Sequence, residues 1–221
     1  MKSNIVSLLV IILTIFACEH SKHGPPNKYE CEGNYQDSFD ICQEYDSVRS
    51  DLVILGDSIM PPHVTCQGVP GQLSRILDEK VNSIAVGGAV LSQIISQYYA
   101  AMSVFPDIET VIFDGGANDI LIGGDPFEVA VKFSVFIDLI ISNGHRPIVV
   151  CIYNPVGEWT PQVVPLSWYT DLQLFVCADK GIDCIDLRGP FDEHPCPMAV
   201  DGLHPNPEGH RIIAELIEEL L

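Results

Sequence analysis

Leu52-Val53-Ile54-Leu55-Gly56-Asp57-Ser58 sets four large aliphatic residues in a row and cuts them off with Gly-Asp-Ser. A run with no polar alternation is a strand buried on both faces, which is how strands of a parallel sheet read. Working outward, Val69, Leu73, Ile76 and Leu77 recur at helical spacing, so 69–77 reads as an amphipathic helix. Val81–Val86 reads as a second strand, Ala89–Met102 as a helix, and Val111-Ile112-Phe113 as a third strand ending at Gly115-Gly116. Pro126–Ser142 is a striped helix closed by Asn143-Gly144, and Pro147–Tyr153 is a fourth strand. Ser167–Asp179 is a helix closed by Gly181, and Ile182–Leu187 is a fifth strand. The last helix begins where Asn206 can cap it, with Pro207 in its first position and Glu208 at its positive end. Strands alternating with helices predict an α/β domain with a parallel sheet covered on both faces.

In such sheets the working loops lie at the carboxyl ends of the strands. Four polar or glycine-rich segments fall there: Gly56-Asp57-Ser58, Gly87-Gly88, Gly116-Ala117-Asn118-Asp119, and Asp201-Gly202-Leu203-His204-Pro205. Singly, each has a plain structural explanation, as a helix cap, a tight turn or an Asx turn. Together they supply every part that acyl transfer needs. A serine hydroxyl is a poor nucleophile until a base takes its proton, and His204 is a candidate base for Ser58. Asp201, three residues earlier, can orient that imidazole across a turn. Gly88 lets a backbone N–H approach a substrate with no Cβ in the way. Asn118 offers a side-chain N–H to a developing oxyanion, a donor worth on the order of 3 kcal/mol.

These four segments, in this order, resemble the four sequence blocks of the SGNH hydrolases, also called GDSL-like esterases, from Leu52 to the C-terminus. The resemblance implies a three-layer α/β/α, flavodoxin-like fold with a five-stranded parallel sheet in the order 2-1-3-4-5. It implies Ser58 as nucleophile with Asp201 and His204 completing a triad. It also implies an oxyanion hole from the Ser58 and Gly88 backbone and the Asn118 side chain, with no cofactor. The chain departs from the family pattern at Ile59-Met60, at Ala85 and at Ala89-Val90, positions that shape the pocket rather than supply the catalytic atoms. The activity implied is hydrolysis of carboxylic esters through an acyl-serine. The same triad serves an acyltransferase if an alcohol intercepts the acyl group, and a non-catalytic surface binding lipoprotein is a third reading. A P-loop is absent, because Gly56-Asp57-Ser58 is not followed by Gly-Lys-Ser/Thr. The other histidines, His63, His145, His194 and His210, default to structural or surface roles, with His63 and His194 candidates for the cleft rim. Trp159 and Trp168 are candidates for a pocket wall or for core packing.

Residues 1–17 read as a signal peptide: Lys2 precedes an apolar stretch, Ile5 to Ala17, shorter than the roughly 20 residues of a membrane span. Ile15-Phe16-Ala17-Cys18 resembles a bacterial lipobox, which makes Cys18 a lipidation site and residues 18–50 a tether and N-terminal extension before a domain at 51–221. The expected location is therefore the cell envelope, anchored to a membrane by lipid. Export places the eight cysteines in an oxidising compartment, where disulfides persist. Cys31 with Cys42 and Cys177 with Cys184 are the nearest in sequence, though connectivity stays open. No Cys/His set has zinc-site spacing, so no metal is expected. With 11 basic against 30 acidic residues, a formal charge of −19, the surface repels nucleic acid and disfavours strongly anionic substrates. A monomer acting on a small ester is the expectation.

Overall fold

The computed structural model describes residues 44–60, 67–193 and 201–221. Cys18, Cys31, Cys42, Cys66, Cys196, His63 and His194 lie outside them, as does the signal-peptide stretch. The quoted run becomes the last half of β1 (Val48–Leu55), and its four aliphatic residues are buried. The elements follow as α1 (Val69–Leu77), β2 (Lys80–Ser83), α2 (Leu91–Val104), β3 (Thr110–Phe113), α3 (Ala117–Leu121), α4 (Pro126–Ser142) and β4 (Arg146–Cys151). A 3-10 turn (Gly157–Gln162), α5 (Val163–Lys180), β5 (Asp183–Asp186), α6 (Arg188–Glu193) and α7 (Pro207–Glu218) complete the chain. Every strand pairing is parallel and the order is β2-β1-β3-β4-β5, as the family resemblance implies. Helices α1 and α7 pack together in one layer, and α2, α4 and α5 form the other.

Residue choice explains these elements locally. Asp125 accepts from the N–H groups of Phe127 and Glu128 at the start of α4, and Asn206 does the same for Glu208 and Gly209 at α7. The core between β3 and α4 is aromatic: Phe113 meets Phe136 edge-on with centroids 4.9 Å apart, and Phe133 packs against Phe113 and Tyr169. The expected second strand is shorter than its apolar run. Its ladder ends at Ser83, and the chain peels away while Ile84 and Val86 still donate to the carbonyls of Ile54 and Gly56. Helix α5 begins at Val163, ahead of the expected Ser167, because Pro165 falls in its first turn, where a missing N–H costs nothing.

No disulfide forms among the described residues. Cys151 on β4, Cys177 on α5 and Cys184 on β5 are free thiols, with Sγ of Cys151 and Cys184 2.7 Å apart. Hydrogen bonds from the other two thiols hold Cys177 down to about 5. Two of the remaining histidines lie among the described residues. His145 Nδ1 lies 2.7 Å from the Tyr98 hydroxyl, and His210 is enclosed on α7.

Burial pushes His210 down to about 4, with the Gln67 backbone opposing and nearby His204 adding to it. The unfolded chain binds a proton near 6.5 that the folded chain refuses until about 4. Stability from this group is therefore present above 6.5 and is lost as pH falls towards 4. His210→Leu should shrink the loss of stability between pH 7 and pH 5 by about 2 kcal/mol, roughly 5 °C in Tm. Thermal melts of both proteins at the two pH values check this; equal acid sensitivity would refute it.

Candidate active site

All four strand-end segments converge at the carboxyl edge of the sheet. Ser58 follows β1, and the imidazole of His204 reaches it: Nε2 lies 2.9 Å from Ser58 Oγ. The other ring nitrogen, Nδ1, lies 2.6 Å from Asp201 Oδ2. Asp201 Oδ1 accepts from the backbone N–H groups of Leu203 and His204, each at 3.0 Å, so one carboxylate both shapes the turn and holds the ring. Burial alone would raise Asp201, but the bond to His204 and the two N–H groups outweigh it and leave the carboxyl below its ordinary value. The turn is itself pinned: Val156 N–H donates to the Gly202 carbonyl at 2.8 Å, and the Tyr153 hydroxyl donates to the Leu203 carbonyl.

Gly87 and Gly88 come up beside the serine. A Cβ on Gly87 would stand 3.8 Å from Ser58 Cβ, whereas one on Gly88 would meet nothing within 4 Å. Gly88 has φ +76, a conformation that suits glycine and leaves its backbone bare. Asn118 sits in α3, the single helical turn after β3. Its Nδ2 donates to Asp57 Oδ2 at 2.9 Å and to the Ala89 carbonyl at 3.0 Å, which ties the third block to the first and second. Its neighbour Asp119 accepts from Leu91 N–H at 2.8 Å and fixes the start of α2.

Two acids that had no assigned role stand behind the serine. Asp57 and Asp114 are buried, the second completely. Burial raises both carboxyls, and it drives Asp114 well above its ordinary value, with the neighbouring Asp57 adding to the shift. Asp57 was visible as part of Gly-Asp-Ser. Asp114 had only one signal, a charged residue closing an otherwise apolar strand. The cleft at Ser58 is walled by Ile59, Ala117, Leu121, Ile152, Tyr153 and Leu166. Neither tryptophan is among these walls, and Trp168 is exposed.

A serine, an imidazole and a carboxylate thus stand in hydrogen-bonded sequence at the carboxyl edge of a doubly covered parallel sheet, the framework of an α/β enzyme. The sequence pattern of the GDSL-like lipase/acylhydrolase family matches residues 54–212, and the chain belongs to that family. It is a hydrolase acting on ester bonds. No curated protein matches the chain in sequence. Among solved structures, it is similar to a member of the lipolytic protein G-D-S-L family from Veillonella parvula, at 19% identity and TM-score 0.65, with 77% of this chain and 97% of that one covered. It is also similar to an acetylxylan esterase from Geobacillus stearothermophilus, at 14% identity and TM-score 0.66, covering 78% and 94%. A third similar structure is the psychrotrophic esterase EstA from Pseudoalteromonas sp., at 16% identity and TM-score 0.60, covering 76% and 94%. At these identities the structures speak for the shared fold.

Proposed function

We propose that the protein is a serine esterase working through an acyl-enzyme. The observation that carries this is the relay Asp201–His204–Ser58, with its two contacts of 2.6 and 2.9 Å. Ser58 Oγ attacks the ester carbonyl as His204 Nε2 takes its proton, and the carbonyl electron pair moves onto oxygen. Collapse expels the alcohol, which leaves with the proton from the imidazolium and leaves an acyl-Ser58. Water, deprotonated by the same nitrogen, attacks that acyl group, releases the acid and restores the serine. Asp201 keeps Nδ1 protonated and balances the transient imidazolium. The oxyanion is met by the Gly88 and Ser58 backbone N–H groups and by Asn118 Nδ2. The Asn118 hydrogen now shared with the Ala89 carbonyl is the one in position to turn to substrate.

Short acyl groups suit the narrow apolar cleft beside Ser58, and the similarity to an acetylxylan esterase supports this reading. Purified full-length protein should hydrolyse p-nitrophenyl acetate at least about tenfold faster, by kcat/KM, than the octanoate. The reverse order would overturn the acyl-length reading, and no turnover of either ester would overturn the esterase itself. We also propose export and lipid attachment at Cys18, supported by the apolar stretch Ile5–Ala17 and the Ile-Phe-Ala-Cys sequence. When the full gene is expressed in a bacterial host, the mature protein should partition into detergent with a mass increase for acyl chains, and Cys18→Ser should abolish both. A soluble, unlipidated mature protein would refute the anchor.

A further inference from the structure

Asp57 and Asp114 form a buried pair of carboxyl groups directly behind Ser58. Asp57 is 1% exposed and Asp114 not at all. The two side chains contact each other, and Asp114 Oδ1 also accepts from the Asp57 backbone N–H at 3.0 Å. Two ionised carboxylates cannot share a dry site, because their repulsion adds to the desolvation of each. One proton must stay, and the hydrogen bonds say where. Both oxygens of Asp57 have donors: Oδ1 takes Ile59 N–H at 3.0 Å, and Oδ2 takes Asn118 Nδ2 at 2.9 Å. Asp114 Oδ2, fully enclosed, meets no donor. As an anion it would be an unsatisfied buried charge, whereas as an acid it brings its own hydrogen to the carboxylate beside it.

We propose that Asp114 is a positioning residue of the active site: as the neutral acid it donates to the Asp57 carboxylate, and that anion holds the Asn118 amide towards the substrate carbonyl. The surrounding structure keeps room for this. A Cβ at Gly56, where φ is +143, would lie 1.7 Å from Asp114 Oδ1, so the carboxyl occupies the space that glycine leaves. Gln97 then clamps Gly56, with its amide accepting from the glycine N–H and donating to its carbonyl, each at 2.9 Å. The chain of contacts runs from Gln97 through Gly56, Asp114 and Asp57 to Asn118, which is the only one of the five expected to touch substrate. Without the proton on Asp114, Asp57 loses a donor and the pair carries two charges. Without Asp114, the Asp57 carboxylate loses its fixed orientation, and Asn118 keeps only the Ala89 carbonyl as a firm acceptor.

The inference rests on Asn118 acting as an oxyanion donor, so the experiment includes Asn118→Ala as well as Asp114 variants, in full-length protein with p-nitrophenyl acetate. Asp114→Leu should lower kcat by roughly 30–100-fold with KM within about twofold, less than the loss of the donor itself. Asp114→Asn, whose amide can still donate to Asp57 and accept from its N–H, should recover most of that loss. The Asp114→Leu/Asn118→Ala double variant should be no slower than Asn118→Ala, because a residue that works through Asn118 has nothing left to position. Full additivity in the double variant, unchanged kcat in Asp114→Leu, or a loss in Asp114→Asn equal to that in Asp114→Leu would each overturn the role. If Asp114→Leu and Asp114→Ala both fail to fold, Asp114 is a determinant of the fold alone and the role is likewise withdrawn. An unaffected Asn118→Ala would instead remove the oxyanion assignment on which the inference stands.

Discussion

Ser58→Ala is expected to lower ester hydrolysis by roughly 10⁴–10⁶-fold and to abolish covalent labelling by an alkylphosphonate, with melting behaviour retained. Ser58 Oγ makes its one described bond to His204, so its removal costs the fold little and the chemistry nearly everything. His204→Ala should fall by a comparable factor. Without the imbiber of its proton, the hydroxyl is an ordinary alcohol, and the leaving alcohol has no acid to protonate it. Because the two act as one unit, the Ser58→Ala/His204→Ala double variant should be about as inactive as either single variant. Asp201→Ala should cost less than His204→Ala. Asp201 is half exposed, its loss frees the ring to rotate, and an imidazole without its orienter still accepts a proton. Kinetics by kcat/KM and intact-mass detection of the phosphonate adduct check all of this. An adduct on Ser58→Ala would place the nucleophile elsewhere, and an active His204→Ala would require a different base.

How much of this was legible beforehand depended on the kind of signal. The buried strands were plain because a parallel sheet covered on both faces demands uninterrupted apolar runs, as at Leu52–Leu55. The α7 boundary was plain because Asn206 and Pro207 act within a single turn of chain. The short helices α3 and α6 give no such signal, because five or six residues cannot display a helical period. Residue type alone leaves Trp159 and Trp168 open to a pocket wall or to core packing, because which side of a segment faces the cleft is set by tertiary packing. The candidate site residues Ser58, Gly88, Asn118, Asp201 and His204 are legible as a set, since each follows a strand or precedes the last helix. Asp114 is not, because its meaning depends on Asp57 lying against it across two adjacent strand ends, a relation between residues 57 positions apart.

Asn118→Ala should lower kcat by roughly 10²–10³-fold and leave KM nearly unchanged. The reason lies in what the amide does before substrate arrives. In the free enzyme its two hydrogens already have acceptors, the Asp57 carboxylate and the Ala89 carbonyl. A neutral ester carbonyl competes poorly with the Ala89 carbonyl for the second hydrogen, so ground-state binding gains little from Asn118. The tetrahedral oxyanion carries a full charge, and a charge-assisted bond outweighs the neutral one it replaces. The interaction therefore strengthens as the reaction proceeds, which is the condition for lowering the barrier rather than tightening the complex. Asp57 matters to this because its carboxylate secures the first hydrogen and so fixes where the second one points. Steady-state kinetics with p-nitrophenyl acetate separate the two cases. A loss expressed mainly in KM would show that Asn118 binds the ground state, and the oxyanion would then rest on the Gly88 and Ser58 backbone alone.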